Sequence, residues 1–400
     1  MHKVFKYVLL PTSEQQKILL NYTGACRWLW NFFLGVNINQ YYEDKTFIFR
    51  NQMLTSLPKL KDAYPWLKEI PSQALQQRLI DLDNAIQRSF KSGFGFPKFK
   101  PKKASFQSIR IPQIAKPTKL GIRVPKLGWI KWNKDRPLEG KLKSVTIKYE
   151  NSKWYCICIC ELPEVQSISK VSNTEIVGID VGLQKVLTTS NNQTFPTPAF
   201  YRTSEKKLAK LQRKLSRKVK GSKNREKARL RLTKQHNKVR NQRLDFLHKT
   251  SNVIAKQYKI VGVEDLNLKG MTKFLSKSIY DQGLGILLGQ LSYKTKWNGG
   301  HFIKVDRWFP SSQICSSCGN RKPMSLSERV YSCTCGLVID RDLNAAINIK
   351  QETIRELHRT GTVRIYACGD TSDGDAGYHV SSHVSLNQEK HSTVVDTASA

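Results

Sequence analysis

Two short runs fix most of what this chain can fold into. Ile176–Asp180 (IVGID) and Ile260–Glu264 (IVGVE) are apolar without a break until a carboxylate closes each. A strand with one wet face alternates apolar and polar residues. A strand without alternation is covered on both sides, the pattern of a parallel sheet with helices above and below. The segments around the two runs fit that arrangement. VLTTS and a turn at Asn191–Asn192 predict a hairpin, 203–257 a long helical stretch, HFIKVDRWF a further strand, and the sequence from about 341 a helix. The expected class is α/β multidomain, since 400 residues exceed one ordinary core.

In α/β folds the carboxyl ends of the strands collect the working side chains. Asp180 and Glu264 stand at such ends, and Asp342, in IDRDLNAAIN at a helix start, can converge on the same point. Three carboxylates repel one another unless cations lie between them. Magnesium is the natural occupant, because it prefers carboxylate oxygen and keeps several waters. Two such ions, about 4 Å apart, activate a water and stabilise the leaving oxygen in phosphodiester cleavage. Asp265 and Asp340 are the immediate neighbours that compete with Glu264 and Asp342 for these roles.

Charge supplies the substrate class. There are 67 Lys and Arg against 31 Asp and Glu, a net +36 spread along most of the chain. So large a surplus calls for a polyanion, and nucleic acid gains affinity with each phosphate contacted. An anionic membrane suits a short basic cluster beside an apolar anchor instead, and no run approaches the ~20 apolar residues of a span. The start, MHKVFKYVLLPTSEQQ, lacks the features of a signal peptide. A cytoplasmic, nucleoid-associated protein of a prokaryotic cell is expected, with no membrane partner. From Glu205 to Lys249 the charges are nearly all positive, and a polyanion channel is expected to include Arg213, Lys214, Arg217, Lys218, Arg225, Arg229, Arg231, Arg240 and Arg243. Leu208, Leu211 and Leu215 give that stretch an apolar stripe, and Gly221–Ser222 a turn between two arms. A second cationic segment, GFGFPKFKPKK, interleaves Phe94, Phe96 and Phe99 with Lys98, Lys100, Lys102 and Lys103. Its prolines keep it extended, which suits phosphates together with stacked bases.

The remaining N-terminal half reads as strand, helices, then strands. KVFKYVLL is a strand, and Thr12 or Ser13 with Gln15 or Gln16 opens a helix by a capping box. Leu19, Leu20, Trp28, Trp30, Phe32 and Phe33 are expected in its core. SIRIPQ, IRVPKLGWIKW, KLKSVTIKYE and KWYCICICELP follow as strands, the last with Cys156, Cys158 and Cys160 as core thiols on one face. Residues 164–174 read as a polar linker, and 361–400 as a mostly disordered tail.

Cys315-x-x-Cys318 and Cys333-x-Cys335 form two knuckles joined by a hairpin, with Gly319 and Gly336 beside them. Four thiolates and no open position describe one structural zinc. The single spacer in the second pair departs from the usual two.

With these residues in view, the chain resembles the TnpB family of insertion-sequence proteins, relatives of the compact type V CRISPR nucleases. The resemblance covers roughly 1–370 and rests on GIDVG, VGVEDLNLKGM, FPSSQICSSCG and YSCTCGLVIDRDLNAAINI. It implies an RNase H-like (RuvC) domain over 166–309 and 337–360, with a zinc ribbon inserted at 310–336. It also implies a β-barrel wedge domain over 1–10 and 93–165, carrying a helical recognition insertion at 11–92. Asp180, Glu264 and Asp342 would be the RuvC metal ligands; Asp342 is chosen over Asp340 because it directly precedes x-Asn-Ala-Ala. The further implications are a guide RNA from the element's end, a double-stranded DNA target beside a short motif, and a monomeric protein in the complex. Competing readings are a nuclease-inactive RNA-guided regulator, a transposase or transposition accessory protein, and a plain zinc-ribbon binder. The intact carboxylate trio disfavours the first, the lack of a convincing H-x-H motif the second, and the two buried strands the third.

Overall fold

The computed structural model describes residues 1–366 apart from 92, 103–105, 113–116, 166–167, 326 and 362. The chain opens with β1 (His2–Leu10) and three helices, α1 (Ser13–Asp44), α2 (Arg50–Ala63) and α3 (Ser72–Ser89). Thr12 accepts the Gln15 amide through its hydroxyl while the Gln15 side chain accepts the Thr12 amide, so the expected capping box starts α1. Five strands follow: β2 (Phe106–Ile111), β3 (Gly121–Val124), β4 (Gly128–Asn133), β5 (Lys141–Glu150) and β6 (Lys153–Glu161). They join β1 in one antiparallel sheet, order β2-β5-β6-β1-β4-β3.

Period two decides its inner face. Phe5, Tyr7 and Leu9 of β1 and Trp154, Cys156, Cys158 and Cys160 of β6 are all buried, so the three cysteines are core thiols. Trp30 and Phe33 of α1 are buried beside them and Trp28 and Phe32 half-buried, whereas Leu20 lies on the exposed side of the helix. β5 and β6 turn on Asn151 and Ser152, both at positive φ, as a tight two-residue hairpin requires. Among the described residues no ladder joins the edge strands β2 and β3, so the ladders give an open sheet.

The second half holds β7 (Lys170–Ser172), β8 (Ile176–Asp180), β9 (Lys185–Thr189) and β10 (Thr194–Pro196), then α4 (Phe200–Ser216) and α5 (Lys223–Gln257). After β11 (Ile260–Glu264) come α6 (Leu268–Gln282), α7 (Leu284–Trp297) and β12 (His301–Val305). The hairpin β13 (Val330–Ser332) and β14 (Val338–Asp340) leads into α8 (Arg341–Thr360), and β15 (Arg364–Tyr366) follows. The main sheet has the order β10-β9-β8-β11-β12, with β8, β11 and β12 parallel and β9 and β10 antiparallel. Both unbroken apolar runs are thus central parallel strands.

The two faces of these strands meet different helices. Val177, Ile179, Val261 and Val263 pack against Leu247 and Ile254 of α5 and Leu287 and Leu291 of α7. The opposite face carries Gly178 and Gly262, paired across the β8–β11 ladder, and both lie hard against α8. A Cβ on Gly178 would meet the backbone of Ala346 and Lys350, and one on Gly262 the side chain of Thr353.

Two boundaries differ from expectation. The supposed linker contains β7, which pairs in parallel with β15 from the supposed tail. Val171 and Val363 are buried there against Ile176, Ile260 and Leu357. Three-residue strands carry no readable period, so composition alone misplaced them. The rest of the expected tail, 367–400, lies outside the described residues.

Gly178→Ala is expected to cost about 3 kcal/mol, because backbone and not a flexible side chain must yield. Gly95→Ala, which opens onto free space, should stay within about 0.5 kcal/mol. Paired thermal melts of the two variants check this.

Candidate active site and metal centre

The glycine contacts bring α8 across the carboxyl ends of the strands. Side chains alternate along a strand, so Asp180 shares a face with Gly178, and Glu264 with Gly262. From Gly178 to Asp180 the strand advances about 6.6 Å. From Ala346 back to Asp342, one turn of α8, the helix advances about 6 Å. The helix face that touches Gly178 therefore carries Asp342 toward Asp180. Electrostatics register the approach: the Asp180 carboxyl is pushed up to about 7. Loss of water contact is the largest cause and the charges of Asp342 and Glu264 the next, opposed by the Val181 amide and Arg341. Burial also raises Glu264.

The two competing carboxylates are taken. Asp265 accepts Lys304 at 2.8 Å and Arg307 at 2.9 Å. Asp340 caps α8, accepting the amides of Asp342 and Leu343, and pairs with Lys185 at 3.0 Å. Among the described residues Asp180, Glu264 and Asp342 have no ion pair. Asp342 also lies in the first turn of α8, where the helix dipole favours negative charge. Carboxylate oxygens without protein cations are a donor set for hard divalent ions. The trio is wider than a closed metal cage: among the described residues, only the cysteine quartet has all its ligand atoms within 4.8 Å of one another.

Cys315, Cys318, Cys333 and Cys335 form that quartet. The Sγ atoms of Cys315 and Cys335 are 3.6 Å apart, and those of Cys318 and Cys333 3.5 Å. Four sulfurs at 2.3 Å from a tetrahedral zinc would stand about 3.8 Å apart, so the residues fit that ion. Gly319 (φ 79°) and Gly336 (φ 89°) turn the backbone beside each pair, which accommodates the short spacer. Two residues that the sequence did not single out join this module to α8. Asn344 donates to the Ile314 carbonyl at 2.7 Å and accepts the Ser316 amide at 3.0 Å. Asn348 donates to the carbonyls of Ser311 and Ile314, both at 2.7 Å. Both asparagines are buried. Their four-residue spacing within an apolar helix face was the available signal.

The expected cations divide into two groups. Lys98, Lys102, Arg213, Lys214, Arg217, Lys218 and Arg231 are exposed. Arg240 is exposed too, with Glu150 at 3.6 Å, on a groove of about 440 Å³ between the β5–β6 hairpin and α5 that also holds Lys234 and Lys238. The others have partners within the chain, although Arg229 is itself exposed. Arg225 donates to the carbonyls of Leu215 and Lys218 and so caps α4, and Arg229 is held by Glu226. Arg243 binds the carbonyl and carboxylate of Asp281. Lys100 lies 3.2 Å from the centre of the Trp30 ring, and burial, with Arg78 nearby, lowers its ammonium to about 7. Lys103 lies outside the described residues. Phe94, Phe96 and Phe99 are exposed, as their segment predicted.

Comparison with known proteins agrees across the chain. Residues 157–275 match the family OrfB_IS605, "Probable transposase"; 285–349 match "Cas12f1-like, TNB domain"; and 1–46 match the "Helix-turn-helix domain" HTH_OrfB_IS605. Over 1–46 the structure has one strand and one long helix. The "Putative RNA-guided DNA endonuclease InsQ" of Escherichia coli (strain K12) is 33% identical over 375 residues, 87% of this chain and 91% of that protein. A "Putative RNA-guided DNA endonuclease" of Streptomyces pristinaespiralis is 32% identical over 358 residues, 87% and 88% of the two chains. A solved CRISPR-Cas12f ternary complex aligns at 18% identity with a TM-score of 0.36, over 85% of this chain and 82% of that one, too loosely to place a residue.

Arg225→Ala should lower the thermal stability of the α4–α5 hairpin by about 1 kcal/mol, the loss of one charged cap. Arg217→Ala should leave it unchanged. Circular dichroism melts separate the structural cation from the solvent-facing one.

Proposed function

This chain belongs to the TnpB-type family of insertion-sequence proteins, and on that premise we propose that it is an RNA-guided DNA endonuclease working through Asp180, Glu264 and Asp342. The observation that supports the reading is that the charges of Asp342 and Glu264 both act on the buried Asp180 carboxyl, while among the described residues none of the three has an ion pair. Two magnesium ions held by these residues would supply the charge that phosphodiester hydrolysis needs, activating water and stabilising the leaving oxygen. The protein's own part is to keep the trio ionisable, uncapped and fixed. Asp265 and Asp340 assist by absorbing Lys304, Arg307 and Lys185, which would otherwise neutralise the site.

The cysteine quartet holds one structural zinc in this reading, and Asn344 and Asn348 fasten the ribbon to the helix that bears Asp342. The exposed cations Arg213, Lys214, Arg217, Lys218, Arg231 and Arg240, with Lys98 and Lys102, hold the guide RNA and the double-stranded target by their phosphates. The antiparallel sheet serves as the wedge domain, with α1–α3 as the recognition insertion. One protein chain acts with one guide RNA, cutting beside a short flanking motif.

The protein co-expressed with RNA from the downstream end of its element should cut a plasmid library beside one defined flank, with magnesium and not with chelator. Asp180→Ala, Glu264→Ala and Asp342→Ala should each slow cleavage by at least about a thousandfold. Asp265→Asn and Asp340→Asn should stay within about tenfold. Guide-dependent binding without cutting, in wild type and mutants alike, would favour a nuclease-inactive regulator. Separately, Cys318→Ser should lose equimolar zinc by elemental analysis and melt at lower temperature; unchanged metal content would remove zinc from the account.

A further inference from the structure

Trp308 is 84% exposed, more than any other large apolar side chain among the described residues. A single exposed ring is ordinary on a protein surface; this one is set apart by how firmly its backbone is held and by where it stands. Its loop is not free to tuck it away. The Trp308 amide donates to the Asp306 carboxylate at 2.7 Å, and the Phe309 amide to the Asp306 carbonyl at 3.2 Å. Arg307, one residue before, grips the carbonyl and carboxylate of Asp265 at 3.0 and 2.9 Å. Ser311, three residues after, is held by Asn348 of α8. The ring stands on a loop pinned on both sides.

Its position says what would meet it. Val305 pairs with Glu264 across the β11–β12 ladder. Neighbouring strands lie about 4.8 Å apart, and three further residues span at most about 11 Å. The Trp308 backbone therefore lies within about 16 Å of Glu264, a few nucleotides along a strand at 3.4 Å each. Lys304 and Arg307 both pair with Asp265, and the Asp306 carboxylate beside them, which accepts the Trp308 amide, brings the sum of these four charges to zero, so the ring and not a net charge is what this loop presents. We infer that Trp308 stacks on an unpaired base of the DNA strand being cut and so positions the phosphate at the carboxylates. This rests on the nuclease reading above. Aromatic stacking of one base is worth on the order of ten- to a hundredfold.

The test uses the protein with its guide RNA and a matched target carrying single abasic sites near the cut. In magnesium, one abasic position should slow wild-type single-turnover cleavage about tenfold. Trp308→Ala should be slowed about as much on intact target and no further by the abasic site, while Trp308→Phe should retain most of the rate. A second readout places 2-aminopurine at that position in chelator: binding should quench it with wild type and not with Trp308→Ala. Equal behaviour of Trp308→Ala and wild type in both readouts, or losses that simply add, would overturn the assignment. A wild type that quenches but never cuts would sink the nuclease reading and leave stacking supported. A dimer that Trp308→Ala converts to monomer in sedimentation would make the ring a self-association surface and also overturn it.

Discussion

The placement of Asp342 beside the ends of β8 and β11 depends on how closely α8 can approach two strands. The approach is permitted by the absence of two Cβ atoms, at Gly178 and Gly262, which face each other across the β8–β11 ladder. Close packing of a helix on a sheet transmits position, because interiors are dense and yield little. Asp342 is therefore located by a contact one to three turns away, and the site's geometry is set from behind by backbone. The same helix receives the ribbon through Asn344 and Asn348. One element thus serves as carboxylate donor, sheet cover and anchor for the cysteine module.

What could be read in advance follows from the physics of each signal. IVGID and IVGVE were legible because covered strands have no alternation, and their terminal acids stand, as read, at the carboxyl ends of those strands. The capping box and the core cysteines rest on local spacing and emerged as read. Charge was legible only as a sum. Lys100, Arg225 and Arg243 look like their exposed neighbours in one dimension, yet their heads are engaged by an indole face, helix-end carbonyls or a carboxylate. Pairing over long sequence distance was equally invisible, so β7 and β15 passed as linker and tail. The glycines inside the two key strands were in plain sight, and only a helix laid against them gives them meaning.

The distribution of charge has its own logic. In a chain of net +36, Asp180, Glu264 and Asp342 have no ion pair among the described residues, and the acids beside them are already matched. Asp265 and Asp340 act as local sinks for lysine and arginine, so the cationic surface does not collapse onto the site. The exposed arms of α4 and α5 keep their positive charge toward solvent for the same reason: their apolar stripe, Leu208, Leu232 and Val239, is buried between the two arms.

The order of elements along the chain adds a temporal consequence. Asp180 closes the first strand of its sheet, but Asp342 arrives on the last helix, after the ribbon. A ribosome adding about 5–20 residues per second exposes the strand roughly ten to thirty seconds before the helix that completes the trio. The nascent protein thus displays its cationic arms well before the helix bearing Asp342 can join Asp180 and Glu264. Synthesis itself imposes a delay between the exposure of the positive charge and the completion of the carboxylate trio.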